Sequence, residues 1–290
     1  MAEQTKVILW SYPRTVSSTF VKCMSNVPDS KMLFEMYTTA MCYGPEGMFF
    51  DKKSPSPSAS EVAQADPESG FNSSICTYEW LKHHLETGYP DKKLVFSKEL
   101  TFCIPGKFDY IPDSGYRHAF LIRNPAKVLP SWHLVVTEMI TLMAKQGKMP
   151  ATADISKISF KRASSFIQAT CDLYSHIKDK GLDPDPVIID SDDLLNDPEG
   201  VLSRFCQKMG IPYSDALLRW EPGVEVVEDW TVSQELLNTL KYTETCKNFR
   251  THPCFLKPKP KADPEVSAEM QNLIDISMPY YTQMYEKRMK

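Results

Sequence analysis

Trp10-Ser11-Tyr12-Pro13-Arg14-Thr15-Val16-Ser17-Ser18-Thr19-Phe20 carries the decisive pattern in this chain. Before it, Val7-Ile8-Leu9-Trp10 is an apolar run of strand length. After it, residues 17–26 read as a helix that ends near Pro28. A strand that turns directly into a helix leaves the helix's first N–H groups unpaired, and these suit an anion. Thr15, Ser17, Ser18 and Thr19 add hydroxyl donors there, and Arg14 adds a permanent charge on a planar fork. A hydroxyl-rich helix start beside a surface arginine is the other reading of the same residues. The stretch lacks the glycines and the lysine of GxxxxGK[ST], so it is not a nucleotide triphosphatase loop.

The same alternation continues outward. Residues 31–35, 94–96, 119–122 and 187–189 read as further strands. Helices are expected over residues 73–86, from Pro125 onward, over 156–180 and over 264–287. Asp197-Pro198-Glu199 starts another helix, with an N-cap followed by proline at the first position. Strands alternating with helices predict an α/β fold of three layers: a central, mostly parallel sheet flanked by helices. No internal repeat is present. The 290 residues read as one domain. Residues 44–70 are expected to be a long loop or lid, and residues 244–263 a basic loop before the last helix.

A second strand end repeats the theme. Leu121-Ile122-Arg123-Asn124-Pro125 runs into a helix, and Ser131 lies eight residues after Arg123, about two turns on. An arginine and a serine so placed can hold another phosphate, or simply cap and decorate the helix. Two such turns in one sheet point to a ligand with two phosphate-like groups.

Composition narrows the classes. Net charge is −4, so no global basic field for nucleic acid exists. No window approaches the ~20 apolar residues of a membrane span, and the first residues do not resemble a signal peptide. Eight cysteines without a CxxC pair read as reduced, mostly buried thiols of a cytoplasmic protein. No metal-ligand spacing is found among the histidines and cysteines, so no metal is expected.

The order of these features resembles the sulfotransferase family, which takes its sulfonate from 3'-phosphoadenosine 5'-phosphosulfate (PAPS). Pro13-Arg14-Thr15-Val16-Ser17-Ser18-Thr19 is similar to that family's 5'-phosphosulfate loop, written PKSGTTW or PRSGST. Arg123-Asn124-Pro125 with Ser131 resembles its 3'-phosphate segment. Val187 to Pro198 resembles its YEDLLxDP stretch, and Gly210-Ile211-Pro212 its LGLP. The soluble PRSxST branch is the subgroup this chain looks most like. The resemblance implies the P-loop-like sulfotransferase fold. It implies that Arg14, Thr15, Ser17, Ser18 and Thr19 grip the 5'-phosphosulfate, and that Arg123 and Ser131 bind the 3'-phosphate. Arg14 would stabilise charge on the bridging oxygen. Val16 stands where the family loop has glycine, a departure in the loop.

The family's animal cytosolic branch uses histidine as base in a stretch like KTHL. Lys98-Glu99-Leu100 is the matching stretch, so Leu100 falls at the histidine's place. The resemblance to heparan-type members makes Glu35 the first candidate base, 21 residues after Arg14, and Glu99 the second. Glu35 is equally readable as a rim carboxylate paired with Lys98 or Arg14. Lys98 is similar to a family lysine that touches the sulfonate. The RKGxxG loop that closes on the 3'-phosphate is absent, with Lys247, Arg250 and Lys257 as substitutes for it or as a solvated basic face. Trp10, Trp80 and Trp230 are available to stack on adenine.

The expected activity is transfer of a sulfonate from PAPS to a hydroxyl of a small molecule, without metal, nucleic acid or membrane, and with a homodimer as the assembly to look for. A sulfotransferase-like fold turned to lyase or dehydratase chemistry, a nucleotide-binding non-enzyme, and a P-loop nucleotide kinase remain alternatives.

Overall fold

The computed structural model describes residues 4–48, 71–87, 89–145, 155–257 and 266–290. The apolar run before the quoted stretch is the central strand of a sheet. Strand β1 (Thr5–Ser11) pairs with β3 (Leu94–Leu100) on one side and β4 (Arg117–Ile122) on the other. Outside these lie β2 (Ser30–Phe34) and β5 (Val187–Asp190), giving the order β2-β3-β1-β4-β5. Every pair is parallel.

Side chains alternate across β1, so its apolar residues serve two cores. Val7 and Leu9 pack with Phe20 and Val21 of α1 (Ser17–Met24), Leu194 of α6 (Ser191–Asn196) and Phe205 of α7 (Pro198–Met209). The short helices α8 (Gln234–Tyr242) and α9 (Lys247–Thr251) close that layer. Ile8 and Trp10 pack on the other face. Their partners come from α2 (Met36–Cys42), α3 (Tyr78–Thr87), α4 (Pro125–Lys145), α5 (Ile155–Asp179) and α10 (Ala268–Glu286). Both faces of a parallel sheet are covered, which is why its strands read as unbroken apolar runs rather than alternating ones. The α/β fold of three layers, a parallel sheet flanked by helices, is the one the sequence predicts.

Local chemistry explains where the elements begin. The Asp197 side chain accepts from Gly200 N at 3.0 Å, with Pro198 at the first position of α7. Asn124 Oδ1 accepts from Ala126 N at 2.9 Å ahead of α4. The helix expected over residues 73–86 is split. A 3₁₀ turn, Ser73–Ile75, comes first, and α3 starts only after Thr77, whose hydroxyl accepts from Trp80 N. Strand β3 runs four residues beyond the expected end at Phe96, because Ser97, Lys98 and Glu99 are buried with partners.

Of the expected 44–70 loop, residues 49–70 lie outside the described residues. The described part of the 244–263 segment, expected as a basic loop, is helical over its first part. A 3₁₀ turn over Glu244–Cys246 leads directly into α9. All eight cysteines are free thiols. Among the described residues no helix is long and apolar enough to cross a membrane.

Candidate active site

Parallel strands bring their carboxyl ends to one edge, and the loops there are the usual place for a ligand. Glu35, Arg14 and Arg123 follow β2, β1 and β4, and Lys98 lies two residues before the end of β3; these four strands are consecutive neighbours in the sheet.

The turn after β1 is tied down from several sides. Thr15 Oγ1 donates to Tyr12 O at 3.0 Å and is fully buried. The Tyr12 hydroxyl accepts from Arg123 N at 2.6 Å and donates to Arg123 O, so the ends of β1 and β4 are stitched together. Burial keeps that phenol well above its ordinary titration range. Ser191 Oγ, at the start of α6, donates to both Thr15 O (2.9 Å) and Ile122 O (2.7 Å).

The backbone of this turn is unusual. Arg14 has φ 70° and Val16 φ 58°, the left-handed region that favours glycine and disfavours a β-branched residue most of all. Val16 thus keeps a conformation suited to glycine. It is also the N-cap of α1 and offers no side-chain acceptor, so no side chain caps the leading N–H groups of α1. Ser17 opens that helix buried, and Ser18 and Thr19 are half-buried.

Arg14 and Ser131 meet directly: Arg14 Nε donates to Ser131 Oγ at 2.9 Å. Arg14 Nη1 reaches Thr245 O at 3.4 Å, and Arg123 Nη1 donates to Arg14 O at 2.9 Å. The two turns separated by more than a hundred residues therefore form one cluster. Burial pulls the Arg14 guanidinium below its usual range, and Arg123 adds to this, while Cys246 and Glu138 oppose it. Asp192 sits beside the second arginine. Its Oδ1 is 3.5 Å from Arg123 Nε, and its Oδ2 is 2.8 Å from Lys127 Nζ. The Arg123–Asp192 pair is ionic without a formed hydrogen bond, so the Arg123 Nε–H remains available to a phosphate oxygen, with Asp192 as its resting counter-charge.

On the other side of β1, Lys98 Nζ donates to Glu35 Oε1. The lysine lies over the Phe34 ring at 4.9 Å and is 2% exposed as a side chain, against 12% for Glu35. Glu35 is left-handed at φ 53° and is the N-cap residue of α2. Glu99 points to the opposite face. Its carboxyl accepts from Met36 N, Tyr37 N and Ser97 Oγ at 3.1, 3.0 and 2.8 Å. It is wholly buried, and burial pushes it up to about 8 against those three donors. Glu99 thus braces α2 from inside the core. Leu100 ends β3 buried.

Arg250 is engaged elsewhere: its Nη1 donates to Leu240 O (3.1 Å) and Thr243 O (2.7 Å), behind the 243–246 turn. Trp10 is fully buried and donates to His118 Nδ1 at 2.9 Å. Trp230 is core as well, donating to Ser25 Oγ. Trp80 is half-buried and stacks on His84 with ring centres 4.7 Å apart. Among the described residues no cluster of three or more His, Cys, Asp or Glu could hold a metal ion.

Sequence reasoning missed the roles of Tyr12, Ser191 and Glu138 in this neighbourhood, although Tyr12 lies in the decisive stretch and Ser191 in the Val187–Pro198 stretch. Glu138 left a positional signal. It lies seven residues after Ser131, two turns along the same helix.

A curated relative, the branched-chain-amino-acid aminotransferase-like protein 1 of Arabidopsis thaliana, is 24% identical over 232 residues, covering 77% of this chain and 33% of that protein. The chain thus spans about a third of the length of this relative. The sulfotransferase domain from the Synechococcus PCC 7002 olefin synthase aligns with 95% of this chain and 95% of its own, at 14% identity and TM-score 0.47. Retinol dehydratase, solved with androsterone and inactive cofactor PAP, aligns with 96% of this chain and 80% of its own, at 14% identity and TM-score 0.44. A family model described as the sulfotransferase domain matches residues 5–288. With nearly its whole length so matched, the chain belongs to the sulfotransferase-domain family.

Proposed function

We propose that this protein transfers a sulfonate group from PAPS to a hydroxyl of a small-molecule acceptor and releases adenosine 3',5'-bisphosphate. The observation that carries this is the joining of two anion-ready strand-to-helix turns through Arg14, Ser131 and Arg123. One turn suits the 5'-phosphosulfate and the other the 3'-phosphate. The leading N–H groups of α1, with Ser17, Ser18, Thr19 and Arg14, serve the first. Arg123 and Ser131 serve the second. Thr15 shapes the turn through its bond to Tyr12 O rather than facing outward.

The acceptor oxygen forms a bond to sulfur as the sulfur–oxygen bond to the 5'-phosphate breaks. The acceptor's proton passes to the Glu35 carboxylate, a general base at the carboxyl edge of the sheet. Lys98 orients that carboxylate and adds positive charge where negative charge moves. Arg14 remains protonated throughout and acts only by its charge and hydrogen bonds. Glu99, facing the other side, is left with a structural task.

Calorimetric titration with adenosine 3',5'-bisphosphate, with ADP as control, tests the donor site. Tight binding of the bisphosphate and weak binding of ADP is the expected result. Arg14→Ala should weaken it by about one to two orders of magnitude, the range for a charged hydrogen-bonding group. Glu35→Gln should bind normally but lose about 10²–10⁴-fold in turnover of PAPS. Equal affinity for both nucleotides would sink the two-phosphate site. Full turnover by Glu35→Gln would remove Glu35 as the base. Bisphosphate binding with no sulfonate transfer to any acceptor would favour a family member with changed chemistry.

A further inference from the structure

The 243–246 turn lies beside Arg14 and is held from two sides. Arg250 secures it from behind through Thr243 O. In front, the Glu138 carboxylate on α4 takes both N–H groups of consecutive residues. Oε1 accepts from Glu244 N at 2.8 Å, and Oε2 accepts from Thr245 N at 3.1 Å. The carbonyl of Thr245 is the group that Arg14 Nη1 reaches at 3.4 Å. Arg14 Nε is held by Ser131, which is also on α4. Both side-chain bonds of Arg14 therefore lead back to one helix, directly through Ser131 and indirectly through Glu138.

We propose that Glu138 is a positioning residue of the donor site, a latch whose carboxylate holds the 243–246 turn against Arg14 and so sets the direction of its guanidinium. The inference rests on the donor reading above. Three arguments support it. A carboxylate spanning two adjacent N–H groups makes charge-assisted bonds and fixes the plane of the peptide between them. That peptide carries the orientation on to the next carbonyl, which is the one Arg14 touches. Glu244 is exposed, so water could replace the latch at the turn itself, and the cost of losing it falls on local order more than on global stability. Glu138 also favours the charged form of Arg14 against the burial that opposes it.

The test uses the full chain with Glu138→Ala and Glu138→Gln, alone and combined with Arg14→Ala. Bisphosphate affinity is read by calorimetry, melting by circular dichroism, and amide exchange at residues 244 and 245 by NMR or mass spectrometry. Glu138→Ala should melt near the wild type, exchange faster at those two amides, and bind about tenfold more weakly. Glu138→Gln keeps one acceptor oxygen and should recover part of the loss. In the Arg14→Ala background, either change at Glu138 should have little further effect on affinity, because the latch acts through Arg14. A residue with only a structural role would give additive losses, and that result overturns the inference. So does wild-type affinity in both Glu138 variants. If Glu138→Ala fails to fold, the same cycle is read with Gln. Wild-type protein that ignores the bisphosphate removes the donor reading and this inference with it, whereas wild-type binding with unaffected variants removes the inference alone.

Discussion

Glu99 shows how a single residue can be legible in kind and misleading in role. By sequence it is the second candidate base, after Glu35. The structure turns it away from Lys98's partner and into the core, where it caps the start of α2. Strand alternation is the reason, since neighbours on β3 face opposite sides of the sheet. Its raised pKa has a consequence for stability. The folded protein holds this proton more tightly than the unfolded chain does, so the contribution is full below about 4.5 and is lost as pH rises through about 8. Melting temperature should therefore fall between about pH 5 and 8 more steeply in the wild type than in Glu99→Gln. Equal slopes would show that Glu99 keeps an ordinary carboxylate value. Val16 gives a second case. Sequence comparison flagged the missing glycine, but only the backbone reveals that the left-handed conformation persists at φ 58°. Val16→Gly should leave the melting free energy within about 1 kcal/mol of wild type or above it, because the strain it relieves offsets the entropy it adds. A large loss on calorimetric melting would mean that the valine side chain matters more than its backbone.

At the level of elements, the strand-to-helix turns were readable because apolar runs, prolines and helix starts are local signals. The ends of β3 and the split before α3 were not. Lys98 and Glu99 look like loop residues until their partners at the N-cap and first turn of α2 are known, and those partners are more than sixty residues away. Ser191 belongs to the same class. One hydroxyl at the β5–α6 junction bonds carbonyls from the turn after β1 and from the end of β4. Ser191→Ala leaves two buried carbonyls without that donor. It should cost about 1–3 kcal/mol in urea unfolding and loosen bisphosphate binding as the first turn relaxes. Unchanged stability would mean that water takes the hydroxyl's place.

Across the whole molecule, the parallel sheet was legible from the alternation of strands and helices, but the order of its strands and the covering of its edges were not. Thr231 N donates to Met32 O, and Phe34 N donates to Thr231 O, each at 2.9 Å, so a later segment lies along β2. On the far side Met289 N donates to Ile188 O at 2.8 Å, and Arg288 pairs with Asp193 beside β5. Neither segment carries a strand signal in the sequence, because each contributes only a bond or two. Exposed strand edges invite pairing with other chains. Both covers come from the last third of the chain, while four of the five strands lie in its first half. During synthesis, then, most of the sheet leaves the ribosome well before the pieces that shield its borders. Chains truncated and released near residue 200 should be captured by chaperones or aggregate, and chains truncated after residue 245 should be partly relieved, since one border is then covered.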